Sequence, residues 1–228
     1  SLTPPPLLRA PDPAGSVWIP QGGACEAAIA GTRQLAKEIV SYWDCMGGGR
    51  RLSVVLPGGT CSTAALLHWA MKEAREESSS NEAMSDIQVV VIPCVGDASY
   101  ARRQMSSLYS QLNLRCDLPV ILSSSPGDDD KTEEYFTFGE PSLAILETFK
   151  RMRDENDLAL DLLYGAPSWT ILLRHLRPDR RAQSPLYGRE IMYIHSGGLE
   201  GVNSQLLRYK YKGLIDIDDI QLPGKPGN

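Results

Sequence analysis

The sequence has no long apolar run. None of its hydrophobic stretches reaches the roughly 20 residues that a membrane-spanning helix needs, so no membrane partner is expected. It also lacks a basic excess: 23 Lys and Arg stand against 28 Asp and Glu, a net charge of -5. A nucleic-acid binder needs a basic surface to neutralise phosphates, so no nucleic-acid partner is expected. Paired cysteines are missing. The five thiols, Cys25, Cys45, Cys61, Cys94 and Cys116, are scattered and form no CxxC motif. A disulfide framework or zinc ribbon is therefore not expected. Reduced thiols in the cytoplasm are, with an organelle left open. Histidine is scarce, and His68, His175 and His195 share no metal-ligand spacing, so no metal site is expected. No signal-peptide pattern is visible, and Ser1-Leu2-Thr3-Pro4-Pro5-Pro6 reads as a linker.

What is present is ordinary for a globular chain: 42% hydrophobic and 22% charged residues over 228 positions. The expected layout is a linker at 1–16, one large α/β domain at 17–222 with room for part of a smaller one, and a tail at 223–228. Val17-Trp18-Ile19 reads as a short strand, and a helix is expected over 24–42. Leu52-Ser53-Val54-Val55-Leu56 is a buried-type strand, with a second helix starting near Cys61. Residues 76–86, with their serine run, read as a solvated loop. Val89-Val90-Val91-Ile92 is a third strand, and Asp97 is the expected N-cap of the helix after it. Val120-Ile121-Leu122 is a fourth strand. Residues 123–131 are a polar loop in which Asp128-Asp129-Asp130 is solvated rather than a metal site. Pro141 fits the first turn of a helix ending near 156. Leu160-Asp161-Leu162-Leu163 is a candidate short strand before a helix over 168–176, and Ile191-Met192-Tyr193-Ile194 is the last strand. This alternation implies a doubly wound, mostly parallel sheet with helices on both faces. Ligands of such sheets sit beyond the carboxyl ends of the strands.

Three turns share one design of apolar strand, small residues and helix. They are Pro20-Gln21-Gly22-Gly23, Pro57-Gly58-Gly59-Thr60-Cys61-Ser62-Thr63 and His195-Ser196-Gly197-Gly198. Glycine lets the backbone approach a ligand closely, and amides at a helix N-terminus favour an anion. The middle turn adds the hydroxyls of Thr60, Ser62 and Thr63 and reads as a phosphate cradle. It is neither a Walker loop nor a GxGxxG fingerprint.

Pro20-Gln21-Gly22-Gly23-Ala24, Pro93-Cys94-Val95-Gly96-Asp97-Ala98, Asp161-Leu162-Leu163-Tyr164, Trp169 and Tyr193-Ile194-His195-Ser196-Gly197-Gly198 follow one another in an order similar to one family. The chain resembles, from about Val17 to about Tyr209, the aminocyclopropane-carboxylate deaminase and D-cysteine desulfhydrase group. These are pyridoxal-phosphate enzymes of the tryptophan-synthase-β type (fold type II). The resemblance implies pyridoxal 5'-phosphate as cofactor and a small amino acid as substrate, released as ammonia and a keto acid. It also implies a homodimer for the complete protein. Gly58, Gly59, Thr60, Cys61, Ser62 and Thr63 would hold the phosphate, together with Ser196, Gly197 and Gly198. Gly22, Gly23 and Phe138 would meet the substrate, and Tyr164 would act in catalysis. Gly165 stands where the deaminases carry an acidic residue facing the pyridine nitrogen, and Ser196 is the substitute. Phe138 stands where a tyrosine is common.

The family's lysine segment, of Gly-Asn-Lys type, has no counterpart here. The seven lysines, Lys37, Lys72, Lys131, Lys150, Lys210, Lys212 and Lys225, lie in expected helices, loops or the tail. Two explanations stand: an incomplete family member, inactive alone, or a degenerate relative acting as an anion- or partner-binding module. A nucleotide-binding α/β enzyme is a third, weaker reading. Plainer roles are open as well. Tyr164 and Trp169 could be core residues, and His195 a hydrogen-bonded core histidine. Cys61 could be a packed small side chain, and Arg102-Arg103 a solvated helix face.

Overall fold

The computed structural model describes residues 19–77, 86–122, 124–126 and 135–216. The linker, the Val17-Trp18 part of the first expected strand, the Asp128-Asp129-Asp130 loop, most of the serine-rich loop and the tail lie outside them. Four strands pair in parallel throughout: β1 Leu52–Gly58, β2 Ile87–Pro93, β3 Val120–Ile121 and β4 Glu190–Tyr193. Their order is β3-β2-β1-β4. The chain steps outward from β1 through β2 to β3, then returns to add β4 on the other side of β1. That reversal is the switch point of a doubly wound sheet, where the crevice opens at the strands' carboxyl ends.

The α/β class read from the sequence is what the structure has. Alternate residues of the central strands face opposite helical layers. Val54, Leu56, Val89 and Val91 join a core with Ala36, Ile39 and Trp43 of α1 (Ala28–Met46), with α2 (Ser62–Glu77) and with α3 (Ala98–Gln111). Val55, Val90 and Ile92 point the other way, against Ile171 and Leu172 of α5 (Gly165–Leu176). Behind α5 lie α4 (Leu143–Asn156) and α6 (Val202–Tyr211), which share a further cluster around Phe149, Leu160 and Tyr209. Because both faces are covered, β1 and β2 are apolar without alternation.

Several expectations are corrected. Helix α1 begins at Ala28, after a short 3-10 turn over Gln21–Gly23 whose Gly22 has φ of 69°. Ile19 is exposed and not in a strand. Ser142, not Pro141, caps α4, so the proline precedes the helix. The main correction is at residues 160–163, which form a turn instead of a strand. The Asp161 carboxylate accepts hydrogen bonds from the amides of Leu163, Tyr164 and Gly165 at 2.8, 2.7 and 2.7 Å. A side chain that takes up successive backbone donors leaves none for a ladder. It starts a helix instead, so α5 begins at Gly165, with Pro167 in the first turn where its missing N–H costs nothing. Asp97 caps α3 as read from the sequence, accepting from the Tyr100 amide at 2.6 Å.

Candidate active site

Strand β1 ends at Gly58 because the chain there passes too close to β2 for a side chain. A Cβ would lie 2.6 Å from Val91 Cγ2 and 2.8 Å from Cys61 Sγ. The turn Gly59-Thr60-Cys61 then swings into α2, with Cys61 at φ 59°, a left-handed conformation uncommon for a side-chain-bearing residue. Its thiol folds back toward the Gly59 carbonyl at 3.8 Å, and burial pushes its pKa up to about 11. Cys61 is thus a packed thiol, not a thiolate. The Thr60 and Ser62 hydroxyls are hydrogen-bonded at 2.9 Å. The amides opening α2 have no partner within the helix.

This turn forms one wall of a cleft of about 430 Å³. Its lining includes Gly59, Thr60, Cys61, Ser62 and Thr63 from the β1–α2 turn, Tyr164 from the start of α5, and Ser196, Gly197 and Gly198 after β4. Gly22 closes another side, so near Thr60 that a Cβ would fall 2.0 Å from Thr60 Oγ1. Only glycine fits between these two turns. The three glycine turns, far apart in sequence, therefore meet at the switch point between β1 and β4.

Tyr164 lies across the cradle. A Cβ on Gly59 would come within 3.1 Å of its Oη. Its other side packs on Phe138, ring centroids 5.4 Å apart, and the buried Cys94 thiol donates to its carbonyl at 3.6 Å. Burial raises the Tyr164 pKa above its ordinary value, so its hydroxyl keeps its proton at neutral pH and is a hydrogen-bond donor. Gly198, at φ 89°, packs on Asp161, 3.3 Å from Cγ to a would-be Cβ. The carboxylate that starts α5 thereby also seats the third turn.

Three of the expected residues lie elsewhere. Gly58 faces the protein interior, Phe138 reaches the cleft only through Tyr164, and Gly23 lines an adjoining hollow with Thr32, Ser62 and Thr63. His195 is exposed rather than in the core. Its Nε2 donates to the Ala159 carbonyl at 2.8 Å, which leaves Nδ1 to accept from the Gly197 amide at 3.1 Å. It is a strut for the third turn, with both ring nitrogens engaged in hydrogen bonds. Trp169 packs on Tyr193, and Arg102 and Arg103 are exposed. Gln21, Val95, Tyr100 and Ile194 also line the cleft and were not singled out. Tyr100 follows the Asp97 cap by one helical turn, which was the available signal.

Among the described residues no charged side chain, and so no lysine, lines the cleft. The hydroxyls and the open amides at the start of α2, set beside the apolar Leu56, Val95 and Ile194, suit an anion such as a phosphate, which would meet no carboxylate from the lining residues. No helix among the described residues is long and apolar enough to cross a membrane.

No protein-family model matches the chain, and no curated protein does. A solved structure described as an "ACC deaminase homologue" matches with a TM-score of 0.57 and 17% identity over 83% of this chain. The match takes in 53% of that structure, so the chain spans about half its length. At that identity the likeness is one of architecture: the chain has an ACC-deaminase-like α/β fold, with its cleft at the carboxyl end of the sheet.

Proposed function

We propose that the cleft holds pyridoxal 5'-phosphate by its phosphate group and belongs to an amino-acid deaminase or desulfhydrase site. The observation that carries this reading is the convergence of Gly22, the Gly59–Thr63 turn and Gly197-Gly198 on one uncharged hollow at the α2 N-terminus. The Gly59–Thr63 amides and the Thr60, Ser62 and Thr63 hydroxyls would grip the phosphate. Ser196 would face the ring nitrogen, where a neutral hydroxyl replaces the acidic residue of the deaminases. Tyr164 Oη would hold a proton beside the substrate, and its ring on Gly59 would limit the water around the phosphate. The cofactor supplies an electron sink for a small amino acid; the protein supplies grip, orientation and proton placement.

A second reading is favoured by one observation: no lysine lines the cleft among the described residues. Covalent pyridoxal chemistry needs a lysine amine aimed at the cofactor. On this reading the chain binds the cofactor, or another phosphate-bearing anion, without turning over a substrate. Both readings expect saturable pyridoxal-phosphate binding that inorganic phosphate competes away. Binding indifferent to phosphate and to Gly59→Val would overturn both. Borohydride reduction followed by peptide mapping separates them. One stoichiometric pyridoxyl-lysine, with turnover of D-cysteine, establishes the enzyme. Scattered, substoichiometric labelling without turnover establishes the binding module.

A further inference from the structure

A second group of polar side chains lies away from the glycine turns, where α2 meets the segment between α3 and β3. His68 projects from α2, and Cys116 and Asp117 come from that segment. Their ligand atoms, an imidazole nitrogen, a thiol sulfur and a carboxylate oxygen, lie within 4.8 Å of one another. His68 Nε2 stands 3.6 Å from Asp117 Oδ1, and Cys116 Sγ stands 3.7 Å from the same oxygen. A tetrahedral zinc ion with bonds of about 2.0–2.3 Å sets its ligands about 3.3–3.6 Å apart. The first separation lies at the upper edge of that range and the second just above it. Among the described residues no group satisfies the buried His68 Nε2 with a hydrogen bond of normal length. The unsatisfied nitrogen is turned toward the Asp117 carboxylate, with the Cys116 sulfur beside it. Beside the group is a hollow of about 410 Å³ lined by Trp69, Lys72, Glu73 and Arg115, with space for a water.

We propose that His68, Cys116 and Asp117 form a three-ligand site for a thiophilic divalent cation of the zinc class, with water in the fourth position. Imidazole, thiolate and carboxylate together select zinc and its neighbours over magnesium or calcium, which prefer oxygen alone. Binding forms metal–nitrogen, metal–sulfur and metal–oxygen bonds. It breaks the Cys116 S–H bond, whose proton passes to solvent, and no oxidation state changes. Lys72 Nζ now hydrogen-bonds Asp117 Oδ1 and competes with the cation for that oxygen. On binding, the ammonium swings toward solvent, which its half-exposed side chain permits. The bound ion would tie α2, which carries the phosphate cradle at its start, to the chain entering β3. The site stands whether or not the cleft binds pyridoxal phosphate.

The test is titration of the full chain with cobalt(II) under reducing conditions, reading the near-ultraviolet thiolate-to-cobalt band. One equivalent is expected to saturate the band. Cys116→Ser should abolish it, and His68→Ala should weaken binding by more than the about tenfold that loss of an outer partner costs. Lys72→Met, which removes the competing ammonium, should tighten it. Zinc should raise the unfolding temperature of the wild type but not of Cys116→Ser, with circular dichroism confirming that the variant folds. A missing band, or one that survives in Cys116→Ser because Cys25 or Cys45 supplies the thiolate, overturns the proposal. So does a Lys72→Met variant that binds more weakly.

Discussion

The two ends of the sheet are built in opposite ways. At the carboxyl end the cleft is lined by glycines, hydroxyls, two tyrosines and apolar side chains such as Leu56 and Ile194, with no charged side chain among the described residues. At the amino end Arg50, Arg51, Arg181, Arg189 and Glu190 crowd around the starts of β1 and β4. Arg189 is nearly buried there. It donates to the Leu52 and Asp86 carbonyls at 2.9 and 2.8 Å, to Ser53 Oγ at 3.2 Å, and to both Asp86 carboxylate oxygens at 2.8 Å. Arg50 pairs with Glu190 at 2.8 Å. The amino end closes on itself with side chains that satisfy one another, whereas the carboxyl end leaves backbone donors open. Paired charged side chains gather at one edge, and glycines, hydroxyls and open amides at the other.

Asp161 breaks this division and carries the largest expected effect. It stands at the cleft end, yet its buried carboxylate satisfies three amides and supports Gly198. Asp161→Ala should cost about 3 kcal/mol of stability, from orphaned buried donors, and weaken pyridoxal-phosphate binding as well. Urea denaturation and cofactor titration on the same variant check both; a loss of one without the other would separate the two roles.

Arg189→Ala tests the division from the opposite end. Removing a nearly buried guanidinium with this many acceptors should cost about 2 kcal/mol and leave cofactor affinity unchanged. The same contact sets an acid dependence. Arg189 holds the Asp86 carboxyl below its ordinary 3.8. A carboxylate depressed in the folded state adds stability above its unfolded pKa, and that stability fades as pH falls through the folded value. Stability should therefore decline below about pH 4 in the wild type, and less steeply in Asp86→Asn. Equal slopes in acid urea titrations would assign the loss to other carboxylates.

Gly59→Val should act on binding alone. Its side chain would press on Tyr164 Oη and on the space assigned to the phosphate, weakening binding about tenfold, or 1.4 kcal/mol. The smallest effect is expected for Tyr164→Phe. Losing one half-buried hydroxyl should change stability and affinity by about 1 kcal/mol or less. A larger loss of affinity would mean that this hydroxyl touches the ligand.

The β1–α2 and β2–α3 units were legible in the sequence because unbroken apolar strands, glycine turns and the Asp97 cap all point to one structure. The meeting of the three turns was legible too, since parallel strands present their carboxyl ends together. Residues 160–163 misled because an apolar run around one aspartate satisfies the strand pattern. Only the three-dimensional turn shows that the aspartate's oxygens replace a neighbouring strand. Gly58 misled for a different reason. Its glycine answers to Val91 across the sheet, and sequence spacing does not separate packing from ligand approach. His195 was read as a core residue because it follows a strand, but its ring lies outside the sheet and braces the chain with both nitrogens.

The pairing of β4 with β1 also orders events in time. Leu52 aligns with Glu190 and Val55 with Tyr193, so strands distant along the chain must find each other before the switch point exists. Contacts of such long sequence separation carry a high loop-closure cost and form slowly. β1, β2 and α2 are made before β4 and would assemble the Gly59–Thr63 turn without it. The Ser196–Gly198 wall is added only when β4 leaves the ribosome and docks. On the proposed function, occupancy of the cleft would report completed folding, and a nascent chain stalled before Glu190 would hold half a cradle and retain no ligand.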